Sequence, residues 1–310
     1  MTIEATVSPP RAMGAQSLWS RLMSGKVGPV FVIVLAIIAI WYFSAVLLNT
    51  PFQKDIYKRG NVEWTTEQLI TDTLAQERPV LPAPHQVMVE LYNTTILKKI
   101  TSKRSLVYHS WITLSTTLLG FVIGTVLGIL LAVGIVHNKS LEKSLMPWII
   151  SSQTIPILAI APMIIVVLNA VGIQGILPKA FIATYLSFFP ITVGIVKGLR
   201  SPELIHLDLM RTYNASNWDL FWKLRWPSSV PYLFTGMKVA IATSLVGAIV
   251  GELPTGAVEG LGARLLAGSY YGQTIQIWSA LIAAALLAAA LVSIVGISNK
   301  IVLKKMGMAQ

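Results

Sequence analysis

Long apolar runs separated by short polar stretches dominate the pattern of this sequence. The first run, residues 27–48, has about 22 residues, and an α-helix needs roughly 20 to cross a hydrocarbon core. It is too long for the apolar region of a signal peptide, so we interpret it as an uncleaved span. Later runs predict five further spans, at residues 108–136, 146–171, 176–198, 231–251 and 275–301. The pattern therefore predicts an all-α integral membrane protein with six transmembrane helices.

The polar stretches divide the chain into further parts. Residues 1–26 form a polar tail, residues 49–105 a connector rich in proline and charge, and residues 106–303 a core of five spans. Apolar residues at helical spacing predict a surface helix from Gln86 to Ile100 within the connector. The prolines before it predict an extended stretch between Glu77 and His85.

Small residues recur every four positions in two of the predicted spans. In a lipid environment, such positions let helix backbones approach closely. Packing within the chain and a subunit interface both remain possible uses for them. The two sets are Gly120, Gly124, Gly128 and Ala132 in one span and Gly236, Ala240, Ser244 and Ala248 in the other.

Composition supports the membrane class and excludes several kinds of chemistry. The chain is 54% hydrophobic and 12% charged, about half the charged share of a typical soluble domain. It has no cysteine, which excludes disulfides and thiolate metal sites, and its four histidines form no HExxH motif. No GxxxxGK[ST] motif occurs, so we expect no cofactor in this chain and nucleotide energy from a partner.

The basic residues predict the orientation of the spans. The net charge is +11, and most Lys and Arg residues lie at the ends of apolar runs rather than in one patch. An even number of spans places both termini on one side, and the positive-inside rule favours the cytoplasm for the termini and for residues 200–230. The bases at residues 98–104, just before the second span, fit this orientation less well.

One polar segment between the fourth and fifth spans carries a family pattern. It reads Asp208-Leu209-Met210, three residues, Asn214, nine residues, and then Leu224-Arg225-Trp226-Pro227. This resembles the loop of bacterial binding-protein-dependent ABC permeases, in which EAA is followed by three residues, Gly, nine residues and I-x-L-P. The chain departs from that pattern at the alanine pair, the glycine and the last leucine. In the family, the glycine turns the chain between two short helices. Asn is one of the few other residues that tolerate the left-handed conformation, so we expect the turn at Asn214.

Further pieces resemble the nitrate/sulfonate/taurine branch of these permeases, and the resemblance covers roughly residues 80–300. They are Leu81-Pro82-Ala83-Pro84, the stretch His109–Phe121, the stretch Thr154–Pro162, Phe188-Phe189-Pro190 and Gly251-Glu252 followed by Gly260-Leu261-Gly262. The order and spacing of these pieces carry the resemblance, rather than any single motif.

The resemblance implies the type I importer permease fold, in the bacterial inner membrane. It implies a second permease subunit, identical or paralogous, a dimer of ABC ATPases that holds ATP-Mg, and a periplasmic or lipid-anchored substrate-binding protein. Contact with the ATPase is implied for Asp208, Leu209, Met210, Asn214, Ala215, Leu224 and Pro227. A helix-capping role for Asp208 is the alternative.

Polar residues in apolar surroundings are candidates for the translocation path or a gate. Pro156 and Pro162 are predicted to bracket a bend, Gln153 and Thr154 lie beside it, and Asn169 lies inside the same span. Glu252 ends the fifth span, where it is either a solvated boundary acid or part of an outer gate. His109 is interpreted as an interfacial side chain. Trp218, Trp222 and Trp226 share one helix face, either as membrane-interface anchors or as ATPase contacts.

Two other function classes make different predictions. A secondary transporter or channel driven by an ion gradient commonly has buried ionisable groups at mid-membrane, and we expect no charge near the centre of any span here. A membrane enzyme would need a catalytic constellation, and none is recognisable. The substrate stays open among small anions, sulfonates and heterocycles such as pyrimidines, because the binding protein normally sets specificity in such importers.

Overall fold

The computed structural model describes residues 27–254 and 259–308, and every regular element in those residues is a helix. The predicted tail, residues 1–26, lies outside the described residues. Five helices are long and apolar enough to cross a membrane, and a bent helix pair makes a sixth if it counts as one span. The predicted all-α membrane class is therefore confirmed. The chain divides into two compact units, Met1–Gln86 and Val87–Gln310, which are described separately.

The first unit contains α1 (Val27–Gly60) and α2 (Thr66–Leu74). The prediction of a helix that ends at residue 48 is wrong, because α1 continues through Pro51 for about three more turns. Asn49 is buried instead of ending the helix. Its Nδ2 donates to Leu81 O at 2.8 Å, and its Oδ1 accepts from Leu81 N–H at 3.0 Å. The polar Asn49 at the end of the apolar run is therefore explained by these hydrogen bonds to the proline-rich stretch.

The predicted surface helix is present as α3 (Pro84–Tyr92), extended by a π-helical turn at Asn93–Leu97. A second π-helical turn, Phe221–Arg225, directly joins the helices Asn217–Leu220 and Trp226–Glu252. The remaining helices are α4 (Leu106–His137), α5 (Lys139–Ser152), α6 (Ile157–Ala170), α7 (Ile176–Leu199), α8 (Leu204–Thr212), α9 (Asn217–Leu220), α10 (Trp226–Glu252), α11 (Leu261–Tyr270) and α12 (Thr274–Lys305).

The core of the second unit is formed where α4 and α10 pack on either side of α7. Gly124 of α4 approaches α7 so closely that a Cβ there would lie 2.1 Å from Ser187 Oγ. Gly236 of α10 makes a similar approach, and a Cβ there would lie 2.7 Å from Pro190 O. Ser244 Oγ donates to Thr117 O at 2.8 Å across the same layer. The small-residue sets therefore serve packing within the chain.

The predicted span at residues 146–171 is not one straight helix. It divides into α5 and α6, which are bent by 104° relative to each other at the break between Ser152 and Ile157. Pro156 explains the break, since it has no N–H for a helical hydrogen bond and disfavours helical geometry at the residue before it. The predicted position between Pro156 and Pro162 is wrong, because Pro162 lies inside α6, and the bend is much sharper than a kink.

The other predicted spans of this unit correspond to α4, α7, α10 and α12. The expectation that no span carries a charge near its centre is wrong, because Lys238 lies near the middle of α10. The sequence-based interpretation missed this residue because its neighbours form a long apolar run. Its side chain is half-buried.

Candidate functional site

The segment between α7 and α10 together with the first turn of α10, residues 200–230, is called the coupling segment. Its first helix, α8, ends in a Schellman motif, in which Asn214 N–H donates to Arg211 O at 2.9 Å and Ala215 N–H donates to Met210 O at 3.0 Å. Asn214 has a φ angle of 51°, so the left-handed turn predicted at this residue is confirmed. A reversal of the chain therefore follows α8 immediately.

Ser216 starts the second short helix directly after this turn. Its Oγ accepts a hydrogen bond from Asp219 N–H at 3.1 Å and lies 2.5 Å from Asp219 Oδ2. Ser is a preferred residue at a helix N-terminus because its oxygen satisfies an otherwise free backbone donor. The coupling segment is thus two short helices joined by a locally determined turn.

The surface of α8 is unusually apolar for an exposed helix. None of its residues is buried, yet Leu204 is 77% exposed, Ile205 71% and Leu209 52%. Tyr213 and Trp218, on either side of the turn, are 76% and 70% exposed. Contiguous apolar surface of this kind is typical of a site that binds another protein.

Asp208 lies in the second turn of α8. Its Oδ1 is 3.0 Å from Nη1 of Arg211, and both side chains are largely exposed, so this pair contributes little to stability. Glu203, and not Asp208, occupies the N-terminal capping position of α8. The helix-capping interpretation of Asp208 is therefore wrong.

The other residues of the family pattern divide into two groups. Leu209 and Asn214 are exposed, and Met210 and Ala215 are half-buried around the turn. Leu224 lies in the second π-helical turn and Pro227 in the first turn of α10, both half-buried at the base of the segment. The pattern therefore spans both the exposed surface and the base that joins it to α10. Contact of these residues with an ATPase stays a prediction.

Phe221 anchors the coupling segment to the helix core. It is buried, with its ring centroid 5.3 Å from that of His137 at the end of α4 and 6.1 Å from that of Trp226. Trp218, Trp222 and Trp226 follow one another with centroid distances of 5.5 and 5.9 Å, which confirms their predicted common face. This aromatic row continues from the exposed segment to the start of α10.

The opposite end of α10 carries a buried carboxylate. Glu252 is completely buried, and Thr113 Oγ1 of α4 lies 2.9 and 3.0 Å from its two carboxylate oxygens. Gly262 N–H donates to Oε2 of Glu252 at 2.8 Å. The interpretation of Glu252 as a solvated boundary acid is therefore wrong. A gate role stays a prediction.

His109 belongs to the same group, which we call the Glu252 cluster: His109, Thr113, Glu252, Gly260 and Gly262. Gly260 N–H donates to Nδ1 of the buried His109 at 2.9 Å, so the other ring nitrogen, Nε2, carries the proton. Nε2 donates in turn to Lys103 O at 2.9 Å. The interfacial interpretation of His109 is therefore wrong.

The glycines of the Glu252 cluster are required by close approach. A Cβ on Gly260 would lie 2.2 Å from Cδ of Glu252, and Gly260 has a φ angle of 114°. The sequence shows the glycines and the acid as separate motifs, and 151 residues separate His109 from Gly260. Only the fold brings them together, so the sequence-based interpretation missed the cluster.

The remaining pathway candidates make local contacts. Thr154 Oγ1 donates to Ser151 O at 2.8 Å, and Gln153 Nε2 donates to Ser152 Oγ at 3.1 Å, in the break between α5 and α6. Asn169 is exposed near the end of α6. Among the described residues, no hydrogen bond joins these three side chains to one another or to Glu252. Their pathway role stays a prediction.

A polar cavity of about 670 Å³ lies between the α3 region, α11 and α12. Burial raises the pKa of Glu90 in its wall, and the positive charge of Arg264 offsets part of this shift. Burial lowers the pKa of Arg264, whose buried Nε finds no hydrogen-bond acceptor in the described part of the chain. Since Lys98 and Arg104 also line it, the cavity suits an anion better than a metal cation. Within residues 27–254 and 259–308, no three His, Asp or Glu side chains are grouped as metal ligands.

Comparison with known proteins gives concordant matches. Residues 124–308 match the family described as binding-protein-dependent transport system inner membrane component. The chain is 34% identical over 184 residues to the formylaminopyrimidine transport permease protein ThiX of Halalkalibacterium halodurans, an alignment that covers 59% of this chain and 68% of the relative. It is 30% identical over 196 residues to the riboflavin transport system permease protein RibX of Chloroflexus aurantiacus, covering 63% and 71%.

A more distant relative and a solved structure extend these matches. The putative aliphatic sulfonates transport permease protein SsuC of Bacillus subtilis is 24% identical over 203 residues, covering 66% of this chain and 70% of the relative. The fold is similar to a chain of the MetNI methionine ABC transporter in an inward-facing conformation, with a TM-score of 0.51 and 22% identity. That match covers 64% of this chain and 95% of the other.

Proposed function

The chain belongs to the binding-protein-dependent transport system inner membrane components, the permeases of ABC transporters, and on this premise we propose that it forms the translocation pathway of an ATP-driven importer. The chain itself catalyses no reaction in this proposal. A separate pair of ABC ATPases holds ATP-Mg, and a second permease subunit, identical or paralogous, completes the pathway. A periplasmic or lipid-anchored binding protein delivers a small solute.

The observation that carries this proposal is the exposed coupling segment. The exposed apolar side chains of α8 have no partner surface among the described residues of this chain, and burying them would stabilise an association by the hydrophobic effect. The segment is also connected mechanically, because α9, the π-helical turn and α10 follow one another without an intervening loop. A movement of a docked ATPase would therefore reach α10 directly.

The proposed orientation follows from the same segment. Both termini and the coupling segment lie in the cytoplasm, where the ATPases are, and the Glu252 cluster lies near the periplasmic boundary. The protein is accordingly a multi-pass protein of the bacterial inner membrane. The positive-inside rule supports this arrangement.

Purification of the tagged chain from its native membrane tests the proposal. We expect an ATPase with its own Walker A motif to copurify. A double substitution, Leu204→Asp with Ile205→Asp, is expected to abolish this copurification and transport while the chain remains in the membrane. The matched control, Ile96→Asp with Ile100→Asp, alters side chains that are each 66% exposed but lie outside the coupling segment.

The control variant is expected to retain the ATPase. Retention by the coupling-segment variant as well would contradict the docking role of α8. Uptake that continued without any ATPase and collapsed when an ionophore dissipated the ion gradients would indicate the other class, a secondary transporter.

A further inference from the structure

A groove between the first half of α10 and the last turns of α12 has no role in the proposed transport function. It has a volume of about 810 Å³. α10 begins and α12 ends near this groove, at the side of the unit that also carries the coupling segment. A groove in this position lies at the boundary between the hydrocarbon core and the lipid headgroups. Its lining includes Pro231, Thr235, Asn299, Lys300, Leu303 and Lys304.

The groove has an excess of positive charge. Lys300 and Lys304 lie one turn apart in its wall, and neither is within ion-pairing distance of a carboxylate in the described residues. Lys238 reaches towards the same stripe of α12 from deeper in the span, since a Cβ on Gly296 would lie 3.8 Å from its Cε. Gly296, Lys300 and Lys304 follow at intervals of four residues and therefore share a face of α12.

A second feature of the groove is a buried acceptor without a donor. The side-chain oxygen of Asn299, Oδ1, is buried and accepts no hydrogen bond from the described part of the chain. A buried polar atom in this state is costly unless a ligand or another group satisfies it. A ligand for this groove would therefore present both negative charge and a hydrogen-bond donor.

The adjacent face of α12 indicates what else the ligand contains. Ile294, Ile297 and Ile301 are 59%, 58% and 52% exposed and continue from the groove along the helix towards the membrane centre. An apolar strip next to a cationic groove matches the two parts of a phospholipid, acyl chains and phosphate. A free anion would use only the lysines and leave the strip uncovered.

We propose that the groove between α10 and α12 binds the headgroup of an anionic phospholipid. Lys300 and Lys304 bind the phosphate, Lys238 extends along the span to the same group, and Asn299 accepts a hydrogen bond from a headgroup hydroxyl. Basic pockets between transmembrane helices commonly bind anionic headgroups in this way. The inference does not depend on the transport proposal, because it concerns binding by the purified chain alone.

Native mass spectrometry of the full-length chain in detergent tests the proposal. We expect dioleoylphosphatidylglycerol to bind and dioleoylphosphatidylcholine, which has neither net charge nor a headgroup donor, to bind far more weakly. The Lys300→Gln, Lys304→Gln double variant is expected to weaken binding of the first phosphatidylglycerol by about thirty-fold, and Lys238→Met by about five-fold. Each variant is compared at an unchanged elution volume in size-exclusion chromatography.

The matched control is Lys139→Gln with Lys143→Gln, which removes two exposed charges from α5 outside the groove. It is expected to change the affinity by less than about three-fold. An equal loss in the control would overturn the proposal in favour of diffuse surface charge. Displacement of phosphatidylglycerol by millimolar inorganic phosphate would overturn it in favour of a free-anion site. Equal binding of phosphatidylcholine would overturn it as well.

Discussion

The two ends of α10 differ in how many of their side chains find partners within the chain. At one end, Glu252 is fully buried and receives hydrogen bonds from α4 and from the first turn of α11. At the other end, the coupling segment has good backbone geometry but exposes several of its large apolar side chains, among them Leu204 and Ile205. A residue in the first region acts through contacts within the chain, whereas the proposed function has a residue in the second region act on a partner. The same substitution should therefore have different consequences at the two ends.

The largest effect on folding is expected for Glu252→Ala. The change leaves the buried Gly262 N–H and the Thr113 hydroxyl without their acceptor, at about 1–3 kcal/mol for each group. We expect the unfolding midpoint of the purified chain to fall by roughly 5 °C. The control is Glu259→Gln, which removes the exposed ion pair with Lys103 but keeps an oxygen that can accept from Tyr108, and it should have an effect of about 0–1 kcal/mol. Equal midpoints for the two variants would contradict the structural role of the cluster.

The second prediction concerns the partner-facing end. Asp208→Lys breaks only an exposed pair with Arg211, so the unfolding midpoint should remain unchanged. If Asp208 pairs with a base on the ATPase, the loss should be about 2–5 kcal/mol of association free energy, measured as reduced copurification and transport. Arg211→Gln provides a matched control for loss of the pair within α8. A Lys variant that still held the ATPase and transported normally would remove Asp208 from the docking surface.

A smaller effect is expected at the turn of the coupling segment. Asn214 has a φ angle of 51°, which glycine adopts readily and a β-branched residue does not. We expect Asn214→Gly to retain transport and ATPase stimulation in proteoliposomes, and Asn214→Val to lower both through a local cost of about 1–3 kcal/mol. Full activity of the Val variant would show that coupling does not need this backbone conformation.

The last prediction uses substitutions that should hardly change stability. It tests on which side of the membrane each of the two regions lies. The chain has no cysteine, so single cysteines can be placed without background. Asn217→Cys should be protected from an impermeant thiol reagent in intact cells, whereas Glu259→Cys should be labelled. The reverse pattern would invert the proposed orientation, and labelling of both would contradict a span between them.

The sequence predicts those parts of the molecule that local pattern determines. Apolar runs give α4, α7, α10 and α12, and the side-chain chemistry of Asn214 gives the turn of the coupling segment. The Glu252 cluster was not predictable in this way, because His109 and Thr113 lie in one stretch and Glu252, Gly260 and Gly262 in another, and only tertiary packing brings the two together.

Three other differences have local causes that the pattern alone misjudged. The apolar run ends at residue 48, but α1 continues to Gly60, and the polar Asn49 hydrogen-bonds to Leu81. Pro156 was taken as a kink, but it separates two helices at 104°. Lys238 was overlooked because apolar neighbours dominated the average over its span. In each case, a single residue differs from the apolar or polar pattern of its neighbours, and the structure depends on that residue.

The unbroken helical path from Asn217 to Glu252 has a mechanical consequence. It comprises 36 residues, so at 1.5 Å per residue it is about 54 Å long. Gly236, where α10 meets Pro190 of α7, lies close to its midpoint. A rocking of about 5° around that contact would move the two ends in opposite directions by about 2 Å each. With the contact at Gly236 as the pivot, a displacement of the coupling segment would produce an opposite displacement at Glu252.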